Sequence, residues 1–361
     1  MRRTLAIALL ATLAACGGET PPPQPPPAPT APPAPTAPPT PTAEATPAPP
    51  PKMSTADAAR VALPSYLEAM NQHDAKRFAG FFAEDATLVL PGVAPMKGRA
   101  AIAQVAQQWF DTFSSLKIAA TRVLVKGDVV VHEWAMTGTH SGEFRGVKPS
   151  EKPVGLTGVS ISWFDPDSGL IKEEHRYADT ATIMSQIGAS KTKARPIPIL
   201  SSSPEWKVAH GTPDEDKSAE AWKKVAAALN AKSETDYVAL HTDDVAYDDM
   251  TQPVGMRGQT DLRKWFKGFV AAFPDAQAMV VNAWGIDDYA VAELTVAGTQ
   301  KATKKAVTLH AVEISQSKDG KIAHGWSYGD GAEVQKQVAP APAAKPAAPA
   351  PAAAPAAPKK K

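Results

Sequence analysis

Between residues 54 and 338 apolar side chains recur in two rhythms, and the rhythms follow one another in the same order twice. Residues 57–71 and 218–230 repeat apolar positions at helical spacing, and further helices are expected near residues 100–113 and 260–273. Runs of alternating apolar and polar side chains come next. In the first half they cover residues 129–140, 154–164 and 170–178, bounded by Gly, Asp and Pro. Helices ahead of strands predict an α+β layer in which helices cover one face of a curved antiparallel sheet.

The two halves can be laid over one another. KPVGLTGVSI at 152–161 matches KAVTLHAVEI at 305–314. SGLIKEEHRYADTATIMSQI at 168–187 matches DGKIAHGWSYGDGAEVQKQV at 319–338, with Gly169 over Gly320, Ile171 over Ile322, Tyr177 over Tyr328 and Asp179 over Asp330. Upstream, Met96-Lys97-Gly98 answers Met256-Arg257-Gly258, Glu133 answers Glu293, and Gly138-Thr139 answers Gly298-Thr299. A colinear series over the whole length means duplication. Two domains are expected, at 54–190 and 214–338. Residues 191–213, with Pro196, Pro198 and Ser201-Ser202-Ser203-Pro204, are expected as the linker between them.

The first copy's THSGEFRGVKPSEKPVGLTGVSISWF, residues 139–164, followed by GLIKEEHRYADTATIMSQIG, residues 169–188, resembles the SnoaL-like polyketide cyclase and ester cyclase group of the NTF2-like superfamily. The second copy is similar but loses most of the loop between Thr299 and Lys305. The resemblance implies two tandem cone-shaped α+β barrels, each a bent sheet closed by helices around an apolar pocket. It is compatible with an enzyme, a small-molecule carrier or an assembly module, since fold alone does not choose among them. Members commonly carry a His-Trp pair in the last strand. Here the matching positions hold Glu174-His175 and Gly325-Trp326.

The ends bear on location. Arg2 and Arg3, a short apolar run at 5–13 and the string Leu13-Ala14-Ala15-Cys16 have the layout of an export signal over residues 1–15 that ends in a bacterial lipobox. The run is too short for a bilayer, which needs about 20 residues. Cys16 is the single cysteine, so it is expected to carry lipid, and no disulfide can form within the chain. Gly17 is not the aspartate that retains such proteins in the inner membrane, so the outer membrane is expected. Residues 16–53, almost all Pro, Ala and Thr beyond Thr20, are expected as an extended spacer, and residues 339–361 as a disordered Ala/Pro/Lys tail. A formal net charge of +1 gives no footprint for nucleic acid.

Strand parity places Glu173, His175, Tyr177 and Asp179 on one face, and His324, Trp326, Tyr328 and Asp330 on its counterpart. In the cyclases that the chain resembles, an aspartate abstracts a proton beside a carbonyl. The resemblance therefore implies Asp179 as a base, with His175 assisting. The same aspartates directly precede a helix, where Asp caps free amides, and Asp330-Gly331-Ala332-Glu333 has a capping-box form. Trp134, His140, Tyr177, His310, Trp326, Tyr328 and Asp330 are the candidate ligand contacts. Trp134, Met136 and His140 share one strand face, and His310 shares one with Val312 and Ile314. No histidine pair has zinc spacing, and Asp243-Asp244 with Asp248-Asp249 lacks the glycine-centred ladder of a calcium loop, so neither metal nor cofactor is expected.

The expected function is an envelope lipoprotein that binds a small apolar or amphipathic molecule. The alternatives are a proton-transfer enzyme, such as an isomerase, cyclase or related hydrolase, and an assembly module. The expected partners are the membrane, through lipid on Cys16, and pairing between domains or copies through sheet faces.

Overall fold

The computed structural model describes residues 53–201 and 203–339. The expected signal segment, Cys16, the proline-rich spacer up to residue 52 and the tail from residue 340 lie outside the described residues. Among those described, no helix is long and apolar enough to cross a membrane.

The first copy runs α1 (Thr55–Asn71), α2 (Ala75–Ala79), β1 (Phe82–Val89), β2 (Met96–Lys97), α3 (Arg99–Thr112), β3 (Lys117–Lys126), β4 (Val129–Thr139), β5 (Pro153–Phe164), β6 (Ile171–Ala178) and α4 (Thr180–Gln186). After β7 (Glu205–Val208) the second copy repeats the series as α5 (Pro213–Asn230), α6 (Glu234–Ala239), β8 (His241–Asp249), β9 (Met256–Arg257), α7 (Gly258–Ala272), β10 (Gln277–Ile286), β11 (Tyr289–Gln300), β12 (Lys305–Lys318), β13 (Lys321–Tyr328) and α8 (Gly331–Val338). Several helix starts are capped by a side chain, those of α1 and α5 among them. Ser54 Oγ accepts the Asp57 amide at 3.1 Å, and Thr212 and Glu215 form a reciprocal capping box.

The sheets are mixed rather than wholly antiparallel. The first has the order β2-β1-β6-β5-β4-β3-β7 and the second β10-β11-β12-β13-β8-β9, with β1 beside β6 and β8 beside β13 in parallel. A strand separated from its partner by the whole domain can pair in either sense, and here the intervening helices return the chain in the parallel one. Each copy carries a register shift at the same place, between Ala120 and Arg122 on β3 and between Val280 and Asn282 on β10. Such bulges bend the strand, which lets the sheet wrap round the helices. The segment expected to be only a linker contributes structure of its own. β7 adds a parallel strand to the β3 edge, and the Arg195 guanidinium donates to the carbonyls of Asp249 and Gln252.

Each cone has its own apolar interior, built for the first from Phe78, Phe82, Ile102, Phe110 and Trp134 and for the second from Trp222, Tyr237, Leu262 and Phe266. A third cluster draws on both copies: Val129, Val131, Val159, Ile161 and Tyr177 pack with Tyr289, Val291, Val312, Ile314 and Tyr328. These side chains stand on the outer faces of the two sheets. Residues 129–136 of β4 are therefore buried without a break, because both faces of the strand are covered.

Candidate functional site

Alternation along the central strands divides their side chains between two environments. On β4, Val130, His132, Trp134 and Met136 face the first cone's interior; on β5 Ser160 does, and on β6 Arg176 and Ala178 do. Together with α1 and α3 they enclose a cavity of about 330 Å³, within the range of ordinary small-molecule sites. Its walls are mainly apolar, with Met70, Val105, Trp109, Phe113, Ile118 and Phe144 among them. A smaller space of about 40 Å³ lies behind Tyr66 and His132.

The deep end is polar. Trp134 Nε1 donates to Ser160 Oγ at 3.2 Å, and Gly158 makes this feasible, since a Cβ there would stand 2.3 Å from the Trp134 ring. Arg176 donates from Nε (3.0 Å) and Nη2 (2.5 Å) to Glu174 Oε1 and from Nη2 to the Tyr66 hydroxyl at 3.2 Å. Ser162 Oγ donates to the other oxygen of Glu174 at 3.1 Å. Burial opposes the charge on Arg176, but Glu174 and Tyr66 more than offset it and hold the guanidinium protonated. His132 meets Tyr66 edge-on at 5.7 Å, and burial pushes its pKa down to about 4, so at neutral pH it presents an uncharged imidazole. The outer end is lined by Leu90, Pro91, Val93, Arg145, Thr180 and Asp330, the last contributed by the second copy.

Of the residues expected in the site, Trp134 and Asp330 line this cavity. His175, Tyr177 and Asp179 share one face as parity predicts, but that face meets the second copy, and none of them lines the cavity. Asp179 is buried and caps α4. Its oxygens accept from the amides of Ala181 (3.3 Å) and Thr182 (3.0 Å), from Thr182 Oγ1 (2.7 Å) and, across the interface, from the amide of Gly331 (2.9 Å). Burial raises its pKa. Asp330 reciprocates by capping α8 through the Ala332 amide at 3.0 Å and accepting the Thr180 amide at 3.1 Å. Glu333 does not complete the expected capping box; its amide instead donates to the Asp330 carbonyl. Because both Asp179 oxygens accept N–H or O–H donors, an asparagine there would turn its NH₂ toward donors.

The interface also contains two buried carboxylates in matching places. Tyr328 donates to Glu133, which Arg122 also contacts; Tyr177 donates to Glu293 at 2.5 Å, and Asn282 donates to the same residue at 2.6 Å. His175 stands between two carboxylates, with Nδ1 2.5 Å from a Glu293 oxygen and Nε2 2.8 Å from Glu173. Burial lowers the His175 pKa, but these two carboxylates outweigh it and the net shift is upward. At the matching position Trp326 lies under the Arg122 guanidinium, 4.2 Å from the ring centre. His310 bonds Thr295 Oγ1 at 3.2 Å, apart from the cavity. His140 is fully buried, with Nδ1 3.0 Å from Ser150 Oγ, and it touches Phe113 and Phe144, which line the cavity, without lining it itself.

Sequence reasoning missed Tyr66, His132, Arg145, Ser160 and Arg176. For Arg176 a signal existed, because it alternates with His175 and Tyr177, but parity alone does not say which face looks inward. Among the described residues no group of His, Cys, Asp and Glu is arranged as metal ligands.

Residues 60–187 match the model of the SnoaL-like polyketide cyclase family, and residues 222–325 match that of the SnoaL-like domain. No curated protein matches the chain. Similar solved structures each correspond to about one copy. A Catenulispora acidiphila protein with a ketosteroid isomerase-like fold is 18% identical, covers 33% of this chain and 92% of its own, and superposes with a TM-score of 0.32. Wild-type IdmH from Streptomyces antibioticus is 28% identical over 36% of this chain and 97% of its own, with a TM-score of 0.32. An LEH-like epoxide hydrolase from M. tuberculosis is 16% identical over 35% and 92%, with a TM-score of 0.31.

Proposed function

This chain carries two SnoaL-like domains of NTF2-like fold in tandem, and from that premise we propose that the first of them binds a small amphipathic molecule. The carrying observation is the 330 Å³ cavity, apolar along its walls and polar at its deep end through His132, Ser160 and Arg176. Turnover by proton transfer has weaker support. The carboxylate expected as base caps a helix away from the cavity, and Glu174 behind the deep end is spent on Arg176 and Ser162. His132 with a pKa near 4 is a weak base at neutral pH.

Native mass spectrometry of the full chain from its own host should find a retained small molecule. Ala106→Phe, projecting from α3 into the cavity, should weaken binding of an environment-sensitive apolar dye at least tenfold while the melting temperature changes little. Equal dye binding by the folded variant would remove the cavity from consideration.

We also propose that Cys16 carries a lipid that tethers the protein to the cell envelope, on the strength of the Leu-Ala-Ala-Cys string after a short apolar run. Cys16→Ser should move the protein from the membrane fraction to the soluble one. An unlipidated mature N-terminus in the wild type would dismiss the anchor.

A further inference from the structure

The cavity's outer end holds a cation placed at some cost to the backbone. Arg145 and Gly146 form a two-residue turn between Phe144 and Val147, whose backbones exchange hydrogen bonds at 3.0 and 2.9 Å. Both turn residues have positive φ, +50° at Arg145 and +81° at Gly146. Such a turn favours Gly, Asn or Asp in its first place, and a long side chain there is held against its own preference. Phe144 and Arg145 both line the cavity, and the Arg145 side chain is 36% exposed.

Asp330, its partner among the described residues, does not depend on it. Arg145 Nη2 donates to Asp330 Oδ2 at 3.1 Å. Asp330 already accepts the Thr180 amide (3.1 Å), Thr180 Oγ1 (2.8 and 3.0 Å) and the Ala332 amide (3.0 Å), and its side chain is only 7% exposed. Among the described residues Arg145 makes no other hydrogen bond, so most of the five N–H donors of a guanidinium remain unspent at the cavity's edge. The deep cation, Arg176, is by contrast committed to Glu174 and Tyr66. A cationic ligand would find the Asp330 carboxylate saturated and buried. An anionic one would find a partly exposed guanidinium with donors to offer.

We propose that Arg145 anchors the head group of the ligand, which is an amphipathic anion such as an alkyl carboxylate, its chain lying along Trp109, Phe113 and Phe144 and its head taking up the donors that Asp330 leaves free. This rests on the reading of the first cavity as a small-molecule site. It also gives the second copy a part in that site, because Asp330 orients the guanidinium over the opening.

Decanoate, decanol and decylamine, three probes of one chain length, test the assignment by displacement of the apolar dye from the full chain carrying Cys16→Ser, a form chosen so that no detergent competes. Decanoate should displace the dye at least tenfold more strongly than either neutral decanol or cationic decylamine. Arg145→Asn, a residue that tolerates the turn, should abolish that preference, with decanoate falling to the level of decanol. Decanol and decanoate binding alike to the wild type, or a preference for decanoate that survives Arg145→Asn, would overturn the anchor. Failure of the dye and all three probes to bind would instead overturn the cavity reading beneath it.

Discussion

The two copies agree on their outer faces and differ inside. Glu133 and Glu293, Tyr177 and Tyr328, Asp179 and Asp330, Val159 and Val312, and Ile161 and Ile314 occupy matching registers and meet across the interface. Toward the interior, His132 is answered by Ala292, Trp134 by Leu294, Ser160 by Glu313, Glu174 by Gly325 and Arg176 by Ser327. The first copy has an Arg-Glu pair inside its cone. The second fills the matching place with an aromatic ring, since Tyr247 stands where Leu88 stands and a Cβ on Gly325 would lie 2.4 Å from that ring. Tyr247 donates to Glu313 at 2.5 Å, and Ser327 donates to the same carboxyl at 2.9 Å. An outer face must keep fitting its partner, so a change on one side leaves a buried group unpaired on the other. An interior constrains only itself, and one copy can change its chemistry while both remain docked.

Breaking an outer-face group should therefore cost most. Glu133→Ala leaves Arg122, whose side chain is 14% exposed, without its buried partner, and should destabilise the chain by about 3–5 kcal/mol in urea unfolding. A loss under about 1 kcal/mol would show that the shared interface contributes little.

Interior exchange should cost less and be repairable. Gly325→Ala should lose about 1–3 kcal/mol by crowding the Tyr247 ring, and adding Tyr247→Leu, the first copy's residue, should recover part of that loss. Absence of any recovery would mean that the two positions do not substitute for one another.

The smallest effect depends on pH. Burial, reinforced by Asp249 and opposed by hydrogen bonds from Tyr247 and Ser327, pushes the Glu313 pKa up to about 8. Its folded value exceeds its unfolded one, so its contribution is fully present below the ordinary carboxylate range near 4.5 and is lost as pH rises through 8. Glu313→Gln should remove that slope and be the more stable form at pH 9 by at least about 1 kcal/mol. Parallel stability curves for the two proteins from pH 5 to 9 would contradict the raised value.

Much of this molecule was open to inspection as text. Helical spacing at 57–71 and 218–230 located α1 and α5, the colinear matches located both copies, and period-two alternation grouped Glu173, His175, Tyr177 and Asp179 on one side of β6. Each of these depends on local backbone geometry, which neighbouring residues in sequence determine. The capping role weighed for Asp179 and Asp330 was local too, and both aspartates do cap, through Ala181 and Ala332.

What only the tertiary structure decided was the direction in which each face looks. Alternation separates His175 from Arg176 without saying which meets a cavity, because β4, β5 and β6 are covered on both sides and both sides must be largely apolar. The parallel pairing of β1 with β6, the strand β7 inside the expected linker and the meeting of Arg145 with Asp330 join residues that are far apart in the chain. Period, cap and repeat come from contacts within a few residues. The inside of the cone comes from which sheet face the helices cover, and that is settled by the free energy of burying two large surfaces together rather than by any single stretch of sequence.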